Sequence, residues 1–180
     1  MSSTTYVTDA VTLGAGLLLG RLIFGVLMAA HGAQKLFGWF GGYGLNGTGT
    51  FFEGLGFRPG RLFAAVVGLA ECGGGVLLAI GLFVPVAAAA IISVMLVAIF
   101  TVHWGKGLLA TSNGVEFPLL YAVLALSLAL TGPGEYSMDA ALGLNAWWTP
   151  QLSGIVLAAG VVAGLACLTL RRPIPLVGHA

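Results

Sequence analysis

Long apolar runs dominate this chain and restrict it to very few folds. Crossing a hydrocarbon core of about 30 Å takes about 20 residues of helix. Five stretches are of that order: about Val11 to Phe40, about Leu62 to Phe83, Pro85 to His103–Trp104, Glu116–Pro118 to Thr131–Gly132–Pro133, and about Leu152 to Leu170. Period-two alternation, the mark of a transmembrane barrel, is absent. With 7 Lys+Arg and 6 Asp+Glu in 180 residues, the chain lacks the charge to cover a water-facing globule, since soluble domains carry about 25% charged residues. A mean hydropathy of +1.03 also excludes disorder, which needs low hydrophobicity. The expectation is an all-α integral membrane protein.

Several functions fall away on the same ground. A net charge of +1 gives no basic patch for nucleic acid. Cys72 and Cys167 lie inside apolar runs and form no C-x-x-C pair, so they read as packed small hydrophobes. Gly42-Tyr-Gly-Leu-Asn-Gly47 matches G-x-G-x-x-G, but no strand precedes it and no βαβ unit surrounds it. No H-E-x-x-H, Walker loop or zinc-type cysteine spacing occurs. The first run has an acidic flank, Asp9, and is too long for a signal peptide.

Basic residues near span ends set orientation. With five spans, Lys35, Arg58, Arg61, Lys106, Arg171 and Arg172 fall on one side, while the other holds Asp9, Glu135 and Asp139. The N-terminus is therefore expected outside and the C-terminus in the cytoplasm. Residues 39–60 mix glycines with Phe51–Phe52 and Leu55–Phe57, a composition that suits a short interfacial or re-entrant segment. Trp147–Trp148 sits just before the fifth span, where indoles settle at the interface.

Ionisable groups at membrane depth are costly, which makes each a functional candidate whose partner must be named. At 100° per residue, Arg21, Met28, His31 and Lys35 share one face of the first helix, with Gln34 off that stripe. Glu71 lies at the middle of the second run, at the same expected depth as Arg21, so Arg21–Glu71 is the expected intramembrane pair. It would serve either chemistry or bundle locking. Gly73–Gly74–Gly75, with Gly68, offers close approach to a neighbouring helix or a flat ligand. His103 ends the third run and Glu116 opens the fourth, so both are expected at the depth of His31 and Lys35, with four titratable groups converging at one end of the bundle.

The residues then take on a familiar pattern. The stretches Gly20-Arg-Leu-Ile-Phe-Gly-Val-Leu-Met-Ala-Ala-His31-Gly-Ala-Gln34-Lys35-Leu-Phe-Gly38, Leu69-Ala-Glu71-Cys-Gly-Gly-Gly75 with Gly81-Leu-Phe83, Val102-His103-Trp104-Gly-Lys106-Gly107, and Glu116-Phe-Pro118-Leu-Leu120 with the later Gly132-Pro-Gly-Glu-Tyr-Ser-Met-Asp139 resemble the DoxX family in order and spacing. The resemblance covers about residues 14–140. It implies a four-helix antiparallel bundle core, related to the DoxD-type subunit of thiosulfate:quinone oxidoreductase, and some members resemble membrane partners of soluble sulfur- or superoxide-handling enzymes. The chain departs from the short family pattern by its fifth transmembrane helix. Residues 1–140 are thus expected to form the DoxX-like membrane domain and residues 141–180 a C-terminal extension.

On this reading the chain is a quinone-facing oxidoreductase subunit of the bacterial plasma membrane. His31, Glu71, His103 and Glu116 would serve as catalytic proton donors, while Arg21, Met28 and Lys35 would bind quinone or substrate. Quinone is the expected cofactor, with none bound covalently, no metal, and electrons coming from a redox partner protein, a larger membrane complex or the substrate itself. The alternative is a non-catalytic membrane subunit that docks or assembles a larger complex. A small transporter is a third option, although no inverted repeat with paired broken helices is visible.

Overall fold

A computed structural model describes residues 10–172; Asp9, used above as an acidic flank, and the last residues through Ala180 lie outside them. Among the described residues all regular structure is helical. The elements are α1 (Ala10–Phe37), α2 (Gly44–Gly54), α3 (Gly60–Ile80), α4 (Val84–Ala98), α5 (Glu116–Thr131), the single turn α6 (Met138–Ala141) and α7 (Pro150–Thr169). A π-helical turn, Ile99–His103, prolongs α4. Among the described residues four segments are long and apolar enough to cross a membrane: Val11–Phe37, Gly60–Ile80, Val84–His103 and Pro150–Thr169. The fourth expected span, Glu116–Thr131, is a shorter apolar helix of 16 residues.

Small residues set the packing. Without a hydrophobic drive between helices in lipid, close backbone approach carries the association. Along the α1–α3 seam, Gly25 lies against Gly75 and Ala79, Gly32 against Cys72, and Gly68 against Leu36. Rising numbers on α1 meet falling numbers on α3, so these two helices are antiparallel. The glycine run is used for helix packing, as one of its two expected roles. α7 runs parallel to α4, with Gly160 against Ala89 and Gly164 against Ser93.

α4 is the central helix, with α3, α5 and α7 against it. Its buried residues Val84, Ala88, Ile91 and Met95 form the main core with Phe24 and Met28 of α1 and Ala125 and Leu128 of α5. The outward faces carry exposed Ile23 and Val26, Leu62 and Val66, Ile155 and Val162. Exposed aliphatic side chains of this density suit acyl chains and would be untenable in water.

Local signals explain the helix ends. Gly81 closes α3 with φ 70°, a left-handed conformation that glycine tolerates without strain. Thr149 caps α7 by accepting from the backbone N–H of Leu152 at 3.2 Å, and Pro150 opens the helix. The residue 39–60 segment folds as α2 rather than a free linker. Its Phe52 joins Phe57, Ala64 and Val97 in a second core, against which Cys167 and Leu168 pack. Lys35, Arg58, Arg61, Lys106, Arg171 and Arg172 thereby gather at one end of the bundle, and Glu135 and Asp139 at the other.

Candidate functional site at the basic end

The α1–α3 register decides which polar groups meet. With Gly32 against Cys72, Glu71 stands opposite the last turns of α1, and Lys35 forms an ion pair with its carboxylate. The Glu71 side chain is 4% exposed and that of Lys35 26%. The expected Arg21–Glu71 pair does not form. Arg21 is fourteen residues before Lys35 on the same helix, about 21 Å along its axis, and sits against Gly81 at the far end of α3.

There Arg21 is fully buried and its Nη2 donates to the Tyr136 carbonyl oxygen at 2.7 Å. Its Nε and Nη1 have no hydrogen-bond partner among the described residues. Asp139, also fully buried, supplies compensating charge and holds the α3–α4 turn. Its carboxylate accepts from the backbone N–H groups of Phe83 at 3.0 Å and Val84 at 3.4 Å, and from Trp148 Nε1 at 3.0 Å. Arg21 and Asp139 therefore anchor the acidic end and take no part in the site at the other.

At the basic end a cavity of about 340 Å3 is bordered by His31, Lys35, Glu71 and His103. Met28, Met95, Phe117 and Tyr121 complete an otherwise apolar, aromatic wall. His31 and Tyr121 lie with ring centroids 5.8 Å apart and Tyr121 Oη 3.5 Å from His31 Nε2. Phe117 stacks on Tyr121 at 6.3 Å and 27°.

His103 reaches the cavity through the π-helical turn. The Trp104 N–H donates to the Ile99 carbonyl oxygen at 2.7 Å, a bond spanning five residues, and Thr101 Oγ1 donates to the Val97 carbonyl oxygen at 2.7 Å. Such single π-turns recur at functional sites because the extra residue re-aims the side chains beyond it. His103 Nδ1 lies 2.8 Å from the Asn113 carbonyl oxygen. A carbonyl only accepts, so Nδ1 carries the proton and Nε2 of the neutral ring is an acceptor.

Two further spaces touch the same polar group. One, of about 210 Å3, lies under α2 between Phe51, Phe52 and Val97 and also borders Lys35, Glu71 and His103. The other, about 660 Å3, is a glycine-rich groove between the end of α1 and α2, with Gln34, Tyr43 and Thr50 on its walls. Lys35 borders all three. The 340 Å3 cavity is the better site for chemistry despite the groove's size, because two histidines and the Lys35–Glu71 pair, from three helices, border it.

Five of the seven expected site residues thus meet: Met28, His31, Lys35, Glu71 and His103. Arg21 is at the opposite end. Glu116 does not border the cavity; its exposed carboxylate accepts from the Ala110 N–H at 2.6 Å and pins the preceding loop. Sequence reasoning missed Met95, Phe117 and Tyr121. The i, i+4 aromatic spacing of Phe117 and Tyr121, opening a helix one residue after Glu116, is the signal that marks that face.

A helical bundle with lipid-facing flanks and an inward polar cluster defines a multi-pass membrane protein. The chain belongs to the DoxX family, whose sequence pattern matches residues 16–104. A protein of Bacillus subtilis (strain 168) named "Putative oxidoreductase CatD" is 30% identical over 124 residues, 69% of this chain and 84% of that protein. No solved structure matches the chain significantly.

Proposed function

We propose that this protein is a quinone-facing membrane subunit of an oxidoreductase system. The observation that carries the reading is the cavity in which His31, His103, Glu71 and Lys35 border a space otherwise lined by methionine and aromatic side chains. A flat, apolar ring with polar oxygens at its edge needs that combination. The volume of about 340 Å3 lies at the lower end of the usual range for small-molecule sites. The name of the Bacillus relative points to the same class of chemistry.

A bound quinone would supply the capacity to accept two electrons and two protons. The chain's own residues would hold the ring oxygens and deliver the protons. His31 is oriented by Tyr121. His103, its Nδ1 proton committed to Asn113, donates from Nε2 only when doubly protonated. The Lys35–Glu71 pair offers protons from the cavity wall, and Lys35 also borders the large groove, through which they are replaced. Electrons come from a redox partner protein or from the reductant itself.

The proposal includes five passages through a bacterial plasma membrane, with the N-terminus outside and the basic end in the cytoplasm. Gathering of Lys35, Arg58, Arg61, Lys106, Arg171 and Arg172 at one end supports it. Glu116–Thr131 is about 24 Å long at 1.5 Å per residue, so the bilayer thins locally beside it. Purification in mild detergent, followed by lipid extraction, should recover quinone with the wild-type protein and less with His31→Ala or His103→Ala. Equal recovery from all three would reject the site. Recovery of a stoichiometric larger complex without quinone would favour the docking-subunit reading.

A further inference from the structure

Four arginines lie around the α2–α3 link at the basic end, and the C-terminal helix brings two of them there. Arg58 and Arg61 flank the start of α3. Arg171 and Arg172 end α7 and are tied to the α2–α3 link by two hydrogen bonds. Arg171 Nε donates to the Leu55 carbonyl oxygen at 2.6 Å, and the Arg172 N–H donates to the Gly56 carbonyl oxygen at 2.9 Å. The approach is backbone to backbone: Gly56 has φ 95°, and a methyl group there would lie 2.4 Å from the Arg172 carbonyl oxygen. On the other side of the link, Arg61 packs its backbone and Cγ against Gly49 of α2.

All four arginines are exposed. Among the described residues none of them forms an ion pair, and the nearby acid, Glu53, is engaged by the Gly60 N–H at 3.1 Å. The corner therefore sets four guanidinium groups against one carboxylate, an excess of positive charge where like charges repel. Leu62 and Leu170, next in sequence to Arg61 and Arg171, are 57% and 58% exposed. Exposed aliphatic side chains therefore adjoin the arginines in the chain, the combination suited to the boundary between headgroup and hydrocarbon. Guanidinium groups match phosphate oxygens with paired N–H donors.

We propose that Arg58, Arg61, Arg171 and Arg172 form a binding site for the phosphate headgroup of an anionic glycerophospholipid, whose acyl chains lie along Leu62 and Leu170. The site does not depend on the quinone reading. It also assigns a role to α7, whose end completes the corner.

The test is native mass spectrometry of the full chain released from detergent. The probes are phosphatidylglycerol and phosphatidylcholine of identical acyl chains, with inorganic phosphate as competitor. The wild type should retain phosphatidylglycerol over phosphatidylcholine. Arg58→Gln with Arg61→Gln should cut that preference about thirtyfold, the loss of two arginine–headgroup attractions. Arg58→Lys with Arg61→Lys should keep the share that rests on charge and lose the share that rests on paired N–H donors, and so fall between the wild type and the glutamine variant. Equal retention of the two lipids by the wild type would overturn the proposal without reference to any variant. So would an unchanged preference in the glutamine variant, or displacement of the lipid by millimolar phosphate, which would mark a free-anion site.

Discussion

Gly73 and Gly75 are two residues apart on α3, yet the same substitution should have unequal consequences. A methyl group at Gly73 meets nothing within 4 Å, whereas at Gly75 it would lie 2.3 Å from Ala29 N and 2.5 Å from the Gly25 carbonyl oxygen. Both changes replace a helix-interior glycine by alanine, a gain of about 1 kcal/mol that cancels in the comparison. What remains is the steric term at Gly75. The obstructing atoms are backbone, so α1 and α3 must part by about 1 Å to reach van der Waals separation, and overpacking of this kind costs about 1–3 kcal/mol. Gly73→Ala should therefore raise stability slightly and Gly75→Ala should fall below it by that amount. Reversible unfolding in mixed micelles, followed by circular dichroism, measures the difference. Parting the seam also separates Lys35 from Glu71, so Gly75→Ala should weaken binding of a quinone analogue while Gly73→Ala leaves it unchanged. Equal stability of the two variants would refute the α1–α3 register.

Three other outcomes follow from the same geometry. Lys35→Met should destabilise by about 3 kcal/mol, because it strands a buried carboxylate, and Glu71→Gln by less, because the partly exposed ammonium can turn toward the groove; a double-mutant cycle in mixed micelles checks the coupling. Asp139→Ala removes the acceptor for three donors at the α3–α4 turn and should cost several kcal/mol, with a shift in Trp148 fluorescence that a change at Glu116 does not cause. Reporter fusions within residues 136–146 and at Ala180 should report opposite compartments, and the same compartment from both would contradict five passages.

Helix positions were legible in the sequence because apolar length is a property of each run by itself. The inward stripe of Met28, His31 and Lys35 was legible for the same reason, since 100° per residue fixes a helix face. Relative depth was not. Arg21 and Glu71 each fall near the middle of an apolar run, but α1 is 28 residues long and α3 is 21, and the slide between them is set by Gly25, Gly32 and Gly75 meeting particular partners. That register belongs to the pair of helices, so neither run alone reveals that Glu71 faces Lys35. Glu116 was misplaced on other grounds: a carboxylate opening a helix has a local backbone donor available, here the Ala110 N–H, and that bond turned it out of the cavity. The π-turn that carries His103 inward has no composition of its own in Ile99-Phe-Thr-Val-His103. The role of Asp139 was not legible, since two of its three donors are backbone groups of the α3–α4 turn, distant in sequence.

Photo-crosslinking with an azidoquinone tests the central claim most directly, because it reads where the ring sits rather than whether the protein binds lipid-soluble compounds. The account predicts labelled peptides from residues 28–35 of α1 and 117–121 of α5, with labelling suppressed by excess unmodified quinone and reduced in His31→Ala and His103→Ala. Labelling spread over the lipid-facing surfaces around Ile23, Val66 and Val162, without competition, would contradict it.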